Sequence, residues 1–292
     1  MADKADKETI GICGMGRMGT AMARRLSAYG FPLVVWSRGG VSMELASETH
    51  AEVALNPATL ARKADIILTS LIDDAAVEAV LDALLTTSLP GKLVVETSTV
   101  SPALLKRYSA GIKAKGGSAI DAPISGGPEL VISGKAGLYV GGADADFERF
   151  MPVADTLSDR IHHTGPLGTG AAAKIVNNMV LCGYWEVLRE ALMTGKRAGL
   201  SLDKMLDILM TSPGGTPALK ARAPRIRGHD RSVGFPVRGA VKDATLFASV
   251  ADSYDVDTPA IDAALASYKA CLENGSGDED LSAMLRMALS QD

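Results

Sequence analysis

Short apolar runs along the first part of the chain alternate with stretches where apolar positions recur every three or four residues. The runs fall at Thr9–Cys13, Leu33–Trp36, Ile66–Ser70, Leu93–Thr97, Ser118–Ala122, Leu138–Gly141 and Arg160–His163, and each reads as a strand. Between several of them lie helical patterns, as at Met18–Tyr29, Ala75–Leu85 and Pro102–Lys115. Strand–helix alternation predicts a largely parallel sheet with helices on both faces. Beyond Gly165 the strand pattern stops. Helical periodicity takes over from about Gly170 to Gly199, then at Leu202–Met210, Lys242–Ser253, Pro259–Asn274 and in a short tail helix. The expectation is an α/β domain over residues 1–165 and an all-α domain over residues 166–292, divided where "TGPLGTG" punctuates the chain.

Composition narrows the function classes. The chain has 292 residues, 47% apolar and 22% charged, ordinary for a globular protein able to bury a core. A net charge of −4 leaves no electrostatic footprint for nucleic acid. No apolar run reaches the roughly 18 residues of a membrane span. The opening "MADKADKE" lacks the apolar core of a signal peptide and reads as a frayed tail. Cys13, Cys182 and Cys271 are odd in number and far apart, which argues against a disulfide framework and suits a reducing cytoplasm. His50, His162, His163 and His229 form no metal-ligand pattern, since neighbouring residues on a strand face opposite ways.

Three glycines carry the first chemical signal. "TIGICGMGRMGTAMARRL" holds Gly14, Gly16 and Gly19 in GxGxxG spacing, with Met15, Arg17 and Met18 between them, after an apolar strand and before an amphipathic helix. Gly14 permits the tight turn, Gly16 lets a pyrophosphate approach the backbone, and Gly19 lets helix and strand pack closely. The end of the second strand then selects the cofactor. NAD binding expects a carboxylate there, but the chain reads "VVWSRGG", with Ser37 and Arg38 and no acid before Glu44. Arg38 can pair a 2′-phosphate through its planar fork, so NADP is favoured and NAD stays possible. A second signal is "GAAAKIVNNM", where Lys174 and Asn178 stand four apart and share one face of an otherwise apolar helix.

With "DAPISGG" (Asp121–Gly127), "GTGAAAKIVNN" (Gly168–Asn178) and "FPVRGAVKDATL" (Phe235–Leu246) added to the glycine fingerprint, the chain resembles the β-hydroxyacid dehydrogenase family. That family includes 3-hydroxyisobutyrate dehydrogenase and tartronate semialdehyde reductase. The resemblance implies an N-terminal Rossmann-type dinucleotide-binding domain joined by a long helix to an α-helical domain for substrate and oligomerisation. It also implies a homodimer or homotetramer, a small carboxylate substrate, and an active site between the domains. Lys174 matches the family's catalytic lysine, acting as general acid and base, and Asn178 the asparagine that holds substrate. Ser125, Gly126 and Gly127 match the contacts to the substrate carboxylate. Lys242 and Asp243 match a pair beside the nicotinamide, Thr99 a contact to its ribose, and Leu71 and Ile72 the adenosine-side loop. Many relatives carry proline near Ile72, so this chain departs from the pattern there.

Other readings stand beside that one. Imine reductases share the architecture but usually lack the lysine. A non-catalytic dinucleotide-binding protein has no need of Lys174, Asn178 and Ser125 together. Arg222, Arg225, Arg227, Arg231 and Arg238 crowd one stretch, read first as a solvated loop and second as a site for another anionic group on the substrate.

Overall fold

The computed structural model describes residues 7–290. The charged N-terminal stretch read as a tail lies for the most part outside them. The chain divides into two compact units, one running through Ile175 and the other starting at Val176.

The first unit is built on β1 (Ile10–Cys13), α1 (Arg17–Ala28), β2 (Leu33–Trp36), α2 (Met43–Glu48), β3 (Glu52–Val53), α3 (Pro57–Lys63), β4 (Ile66–Thr69), α4 (Asp74–Leu85), β5 (Leu93–Glu96), α5 (Pro102–Ala114) and β6 (Ser118–Asp121). It continues with β7 (Ile124–Ser125), α6 (Pro128–Ser133), β8 (Ala136–Gly141), α7 (Asp144–Leu157) and β9 (Ser158–Gly165). The strand order is β3-β2-β1-β4-β5-β6-β8-β7, with β9 also on β8. The strands from β3 to β6 along that order are parallel; β8 runs against β6 and β7, and β9 runs with β8.

Strand residues alternate between two apolar layers, as a sheet covered on both faces requires. Ile10, Ile12, Leu68 and Val95 pack with Met22 and Leu26 of α1 and with Phe150 and Val153 of α7. Cys13, Val34, Ile67 and Val94 pack on the other side with Leu60 of α3, Leu81 of α4 and Leu104 of α5. Register aligns Trp36, Cys13, Thr69, Glu96 and Asp121 in one row at the carboxyl ends of five parallel strands. In open α/β sheets, ligands bind beyond that edge.

The second unit is helical. It begins inside α8 (Thr169–Arg197) and adds α9 (Leu202–Met210), α10 (Pro217–Ile226), α11 (Val237–Asp252), α12 (Pro259–Cys271) and α13 (Ser282–Ser290). Buried polar contacts hold it. The Tyr268 hydroxyl donates to the Cys182 carbonyl at 2.9 Å, and the Arg222 guanidinium lies over the Trp185 ring at 4.8 Å. Arg222 pairs with Asp280: Nε stands 3.1 Å from Oδ1 without the alignment of a hydrogen bond, and Nη2 donates to Oδ2 at 3.5 Å. Asp280 also accepts from the backbone N–H groups of Gly234, Phe235 and Ser282 at 3.0, 3.1 and 3.0 Å.

Several elements depart from the sequence expectation. Strands β3 and β7 are two residues each, too short for an alternation signal, and β3 is wholly exposed. Helices α2, α3 and α6 are also short. Helix α10 replaces part of the expected arginine-rich loop; Pro217 opens it and Pro224 sits inside it, and both read as breakers. The arginines there are not simply solvated. Arg222 pairs with Asp280, Arg225 with Asp230, Arg227 with Asp203 and Asp207, and Arg238 with Asp278. Helix α11 starts five residues before the expected Lys242 because Pro236 sets its entry. After α12 a short π-helical segment reaches Ser276, broken by Gly275 at φ 89°.

Cys13, Cys182 and Cys271 are free and buried. Among the described residues, no cluster of His, Cys, Asp and Glu could hold a metal. His162 instead stacks on Tyr139 and His163 on Phe147. No helix among them is long and apolar enough to cross a membrane.

Candidate functional site

The glycine turn follows β1. Gly14 has φ 104°, and a Cβ there would lie 2.2 Å from the Ser70 carbonyl oxygen. A Cβ at Gly19 would lie 1.9 Å from the Gly14 carbonyl oxygen. Gly16 differs: a Cβ there would meet nothing within 4 Å. It is the N-cap of α1, and no side chain caps that helix. By contrast α2, α3, α4 and α5 are capped by Ser42, Asn56, Asp73 and Ser101. Helix α1 thus presents its positive end, without an acid in its first turn, over an open approach. Met15 and Met18 pack their side chains against the core, and Arg17 is exposed. These residues fit the diphosphate of a dinucleotide.

Ser37 and Arg38 line a cavity of about 400 Å³ at the end of β2, with Val41, Val53 and Leu55. Leu55 is 86% exposed, so apolar surface faces this cavity. Among the described residues Arg38 has no ion-pair partner, whereas Arg24 pairs with Glu48 and Arg149 with Glu8. A cation and a hydroxyl beside an open apolar ledge suit a phosphorylated adenosine.

Leu71, after β4, lies against Gly14, and its N–H donates to the Ser98 hydroxyl at 2.8 Å. Ile72 is exposed and Thr99 half-buried, in the loops after β4 and β5. Ser125 closes β7 opposite Gly137. Gly126 has φ 128°, and Gly127 caps α6 without any side-chain cap. The Glu129 carboxylate sits close over Gly127: a Cβ at that glycine would be 2.8 Å from Glu129 Oε2.

Lys174 is buried in the second turn of α8, and Asp121 fixes where that helix starts. Asp121 Oδ1 accepts from Gly168 N–H and Oδ2 from Ala171 N–H, both at 2.5 Å. A Cβ at Gly170 would lie 2.3 Å from the Tyr139 carbonyl oxygen, so only glycine lets α8 begin against β8. Burial raises the Asp121 carboxyl, and the two backbone donors hold it down in part. Asp121 received no role from the sequence, although it opens "DAPISGG". The helix start it holds lies some fifty residues further along the chain, so no local pattern marked it.

Asn178 stands one turn beyond Lys174 on α8 and accepts from the Asn177 amide at 3.0 Å. In the second unit Lys242 and Asp243 form an ion pair at 2.6 Å in the second turn of α11, with Asp243 buried.

Two family models match successive parts of the chain. Residues 9–165 match the family model described as the NAD binding domain of 6-phosphogluconate dehydrogenase. Residues 168–288 match that of the NAD-binding domain of NADP-dependent 3-hydroxyisobutyrate dehydrogenase. The chain is 30% identical over 279 residues to glyoxylate/succinic semialdehyde reductase 1 of Arabidopsis thaliana, covering 94% of this chain and 96% of the relative. It is 30% identical over 282 residues to 2-(hydroxymethyl)glutarate dehydrogenase of Eubacterium barkeri, covering 95% and 94%. The structure of Mycobacterium tuberculosis 3-hydroxyisobutyrate dehydrogenase with L-serine superposes with a TM-score of 0.86 at 25% identity, over 97% of this chain and 99% of that one. The chain belongs to the β-hydroxyacid dehydrogenase family, with a Rossmann-type domain for an NAD(P) cofactor followed by a helical domain.

Proposed function

We propose that the protein transfers hydride between NADP(H) and a small β-hydroxy acid or its semialdehyde, with Lys174 as general acid and base. The observation that carries this reading is Lys174 itself, a buried lysine on a helix whose start is pinned to the carboxyl edge of the dinucleotide-binding sheet. A bound nicotinamide cofactor would supply or take the hydride. Reduction of an aldehyde leaves an alkoxide, and the Lys174 ammonium gives it a proton; in the oxidative direction the neutral amine removes that proton. Asn178 holds the substrate beside the lysine. The Ser125 hydroxyl and the backbone N–H groups of Gly126 and Gly127 take its carboxylate. Gly14, Met15, Gly16, Arg17, Met18 and Gly19 cradle the diphosphate, Leu71 and Ile72 pack on the adenosine side, and Thr99, Lys242 and Asp243 serve the nicotinamide end. Ser37 and Arg38 take a 2′-phosphate, which favours NADP while leaving NAD usable.

Residues 1–165 form the cofactor domain in this reading, and residues 166–292 the substrate and oligomerisation domain of a homodimer or homotetramer. Relatives named glyoxylate/succinic semialdehyde reductase and 2-(hydroxymethyl)glutarate dehydrogenase support the substrate class. The three free thiols suit a reducing compartment such as the cytoplasm.

Replacing Lys174 with alanine tests the reading. Turnover of a semialdehyde should fall roughly 10²–10⁴-fold, the range for one positioned acid–base group, while NADPH still binds. Near-normal turnover would remove the proton-transfer role. Lost NADPH binding would make Lys174 a support of the cofactor site instead.

A further inference from the structure

Glu96 is a buried acid that the proposed chemistry leaves without a task. It closes β5, is 1% exposed, and lies in the row of strand ends beneath the loops that carry Leu71 and Thr99. Its two oxygens serve different loops. Oε2 accepts from the Thr69 hydroxyl at 2.5 Å and Oε1 from the Ser98 N–H at 2.6 Å. The Ser98 hydroxyl then accepts from the Leu71 N–H, and Leu71 packs against Gly14 in the turn that leads to the helix start at Gly16. One carboxyl group is thus tied through a short chain of contacts to three of the loops at the dinucleotide edge.

The arrangement accommodates the group with or without a proton. As a carboxylate it accepts from both donors. As an acid it keeps the Ser98 N–H on Oε1 and donates from Oε2 to the Thr69 oxygen. The Thr69 hydroxyl then turns to the Val95 carbonyl oxygen, 3.4 Å away. Gaining a proton therefore removes a charge without breaking the loop connections.

The titratable and charged groups around it do not offset the negative form. Cys13 at the end of β1 has its thiol raised by burial first and by Glu96 second, so it stays neutral. Asp74, at the start of α4, adds a like charge. Asp121, at the end of β6, spends both oxygens on the start of α8. Burial pushes Glu96 up to about 7, against the lowering effect of its bonds from Ser98 and Thr69, with Asp74 raising it further.

We propose that Glu96 is a positioning residue through which dinucleotide binding is coupled to the uptake of a proton. The anionic diphosphate arrives at the edge that Glu96 supports, and a like charge favours the neutral acid. By reciprocity, protonation of Glu96 favours the dinucleotide. The sign follows: affinity is highest below neutrality and falls as the pH rises through the range where Glu96 ionises.

NADH is the probe, because it has no group that titrates near neutrality. Its dissociation constant, read by fluorescence between pH 6 and 8.5, should rise up to about tenfold in the natural protein, the change for one unit of linked shift. In Glu96→Gln, whose amide reproduces the hydrogen bonds of the neutral acid, the profile should be flat and binding at pH 8.5 tighter than in the natural protein. An unchanged slope in Glu96→Gln would place the proton elsewhere and overturn the proposal. So would a folded Glu96→Gln that binds NADH at no pH, since the ionised form would then be the competent one. If the variant fails to fold, calorimetry of NADH binding to the natural protein at pH 7, in two buffers of different ionisation enthalpy, decides alone. Net proton uptake supports the coupling, and none overturns it. Failure of the turnover test on Lys174 leaves these binding measurements untouched.

Discussion

Two buried aspartates, one in each unit, do similar work with opposite electrostatics. Asp121 closes β6 and accepts from two backbone N–H groups at the start of α8. Asp280, before α13, accepts from three backbone N–H groups and also pairs with Arg222. Burial pushes both carboxyls up. At Asp280 the Arg222 charge and the backbone donors outweigh it, so that carboxyl ends below its ordinary value. At Asp121 burial wins and the carboxyl ends above it. The helical unit thus balances a buried charge with a directly paired countercharge, while at the strand edge of the first unit Glu96 has none and Asp121 feels only the weaker pull of the Lys106 cation, which does not outweigh burial. That pattern fits a difference in task. An ion pair fixes structure, whereas an uncompensated acid at a binding edge responds to whatever arrives there.

The comparison can be broken most sharply at Asp280. Replacing it with alanine leaves the Arg222 charge, 13% exposed, without its partner. The expected loss is about 3–5 kcal/mol, read by denaturant unfolding. Asp121→Ala removes no countercharge and orphans two backbone donors, so it should cost less, about 2–4 kcal/mol, and slow turnover by loosening the turn that carries Lys174. If the two losses came out equal with turnover intact, the distinction between them would fall.

The pH dependence sharpens it further. Asp280 titrates lower in the folded chain than in the unfolded one. Its contribution is therefore present above its ordinary value and lost as the pH falls through the folded one. Asp121 titrates higher when folded, so its effect has the reverse sign: stability falls as the pH rises from the ordinary value through the folded one. Thermal melts of Asp280→Asn and Asp121→Asn across pH 3–6, compared with the natural protein, should therefore deviate with opposite slopes.

Two smaller effects concern binding. Arg38→Ala should weaken NADPH by roughly 1–3 kcal/mol, the worth of a charge-assisted contact, and leave NADH nearly unchanged. Equal losses for both would end the assignment of Arg38 to the 2′-phosphate. Smallest in stability is Gly16→Ala. With open space around it and φ −72°, the fold should change by less than about 0.5 kcal/mol while the dinucleotide binds more weakly. The same change at Gly14 should destabilise the fold itself, because the Ser70 carbonyl oxygen occupies the position of the new Cβ.

The sheet was readable because its strands are buried on both faces and stand out as continuous Val, Ile and Leu runs such as "LVVW" and "IILT". The glycine turn was readable because two backbone constraints, at Gly14 and Gly19, and the open approach at Gly16 call for one residue type at fixed spacing. What escaped had no such period. Strand β3 is two exposed residues on an edge, and α10 carries prolines that signal interruption. Arg222 and Arg227 looked solvated because their partners, Asp280 for the one and Asp203 with Asp207 for the other, are distant in sequence. Asp121 and Glu96 were hidden differently. Asp121 opens a quoted motif and Glu96 lies in an expected strand, but what marks them is the register that lines up five strand ends, a property of the sheet rather than of any segment.

The three buried cysteines give the molecule its own clocks. Cys13 is buried in the sheet of the first unit, and Cys182 and Cys271 among the helices of the second. Burial raises all three thiols, which keeps them unreactive as well as inaccessible. An alkylating reagent can therefore label each only when the surrounding structure opens, and the labelling rate measures that opening. Peptide mapping of the labelled sites would time the breathing of the sheet and of the helices separately in the unmodified protein. A dinucleotide should slow the clock at Cys13, which ends the strand leading into the glycine turn.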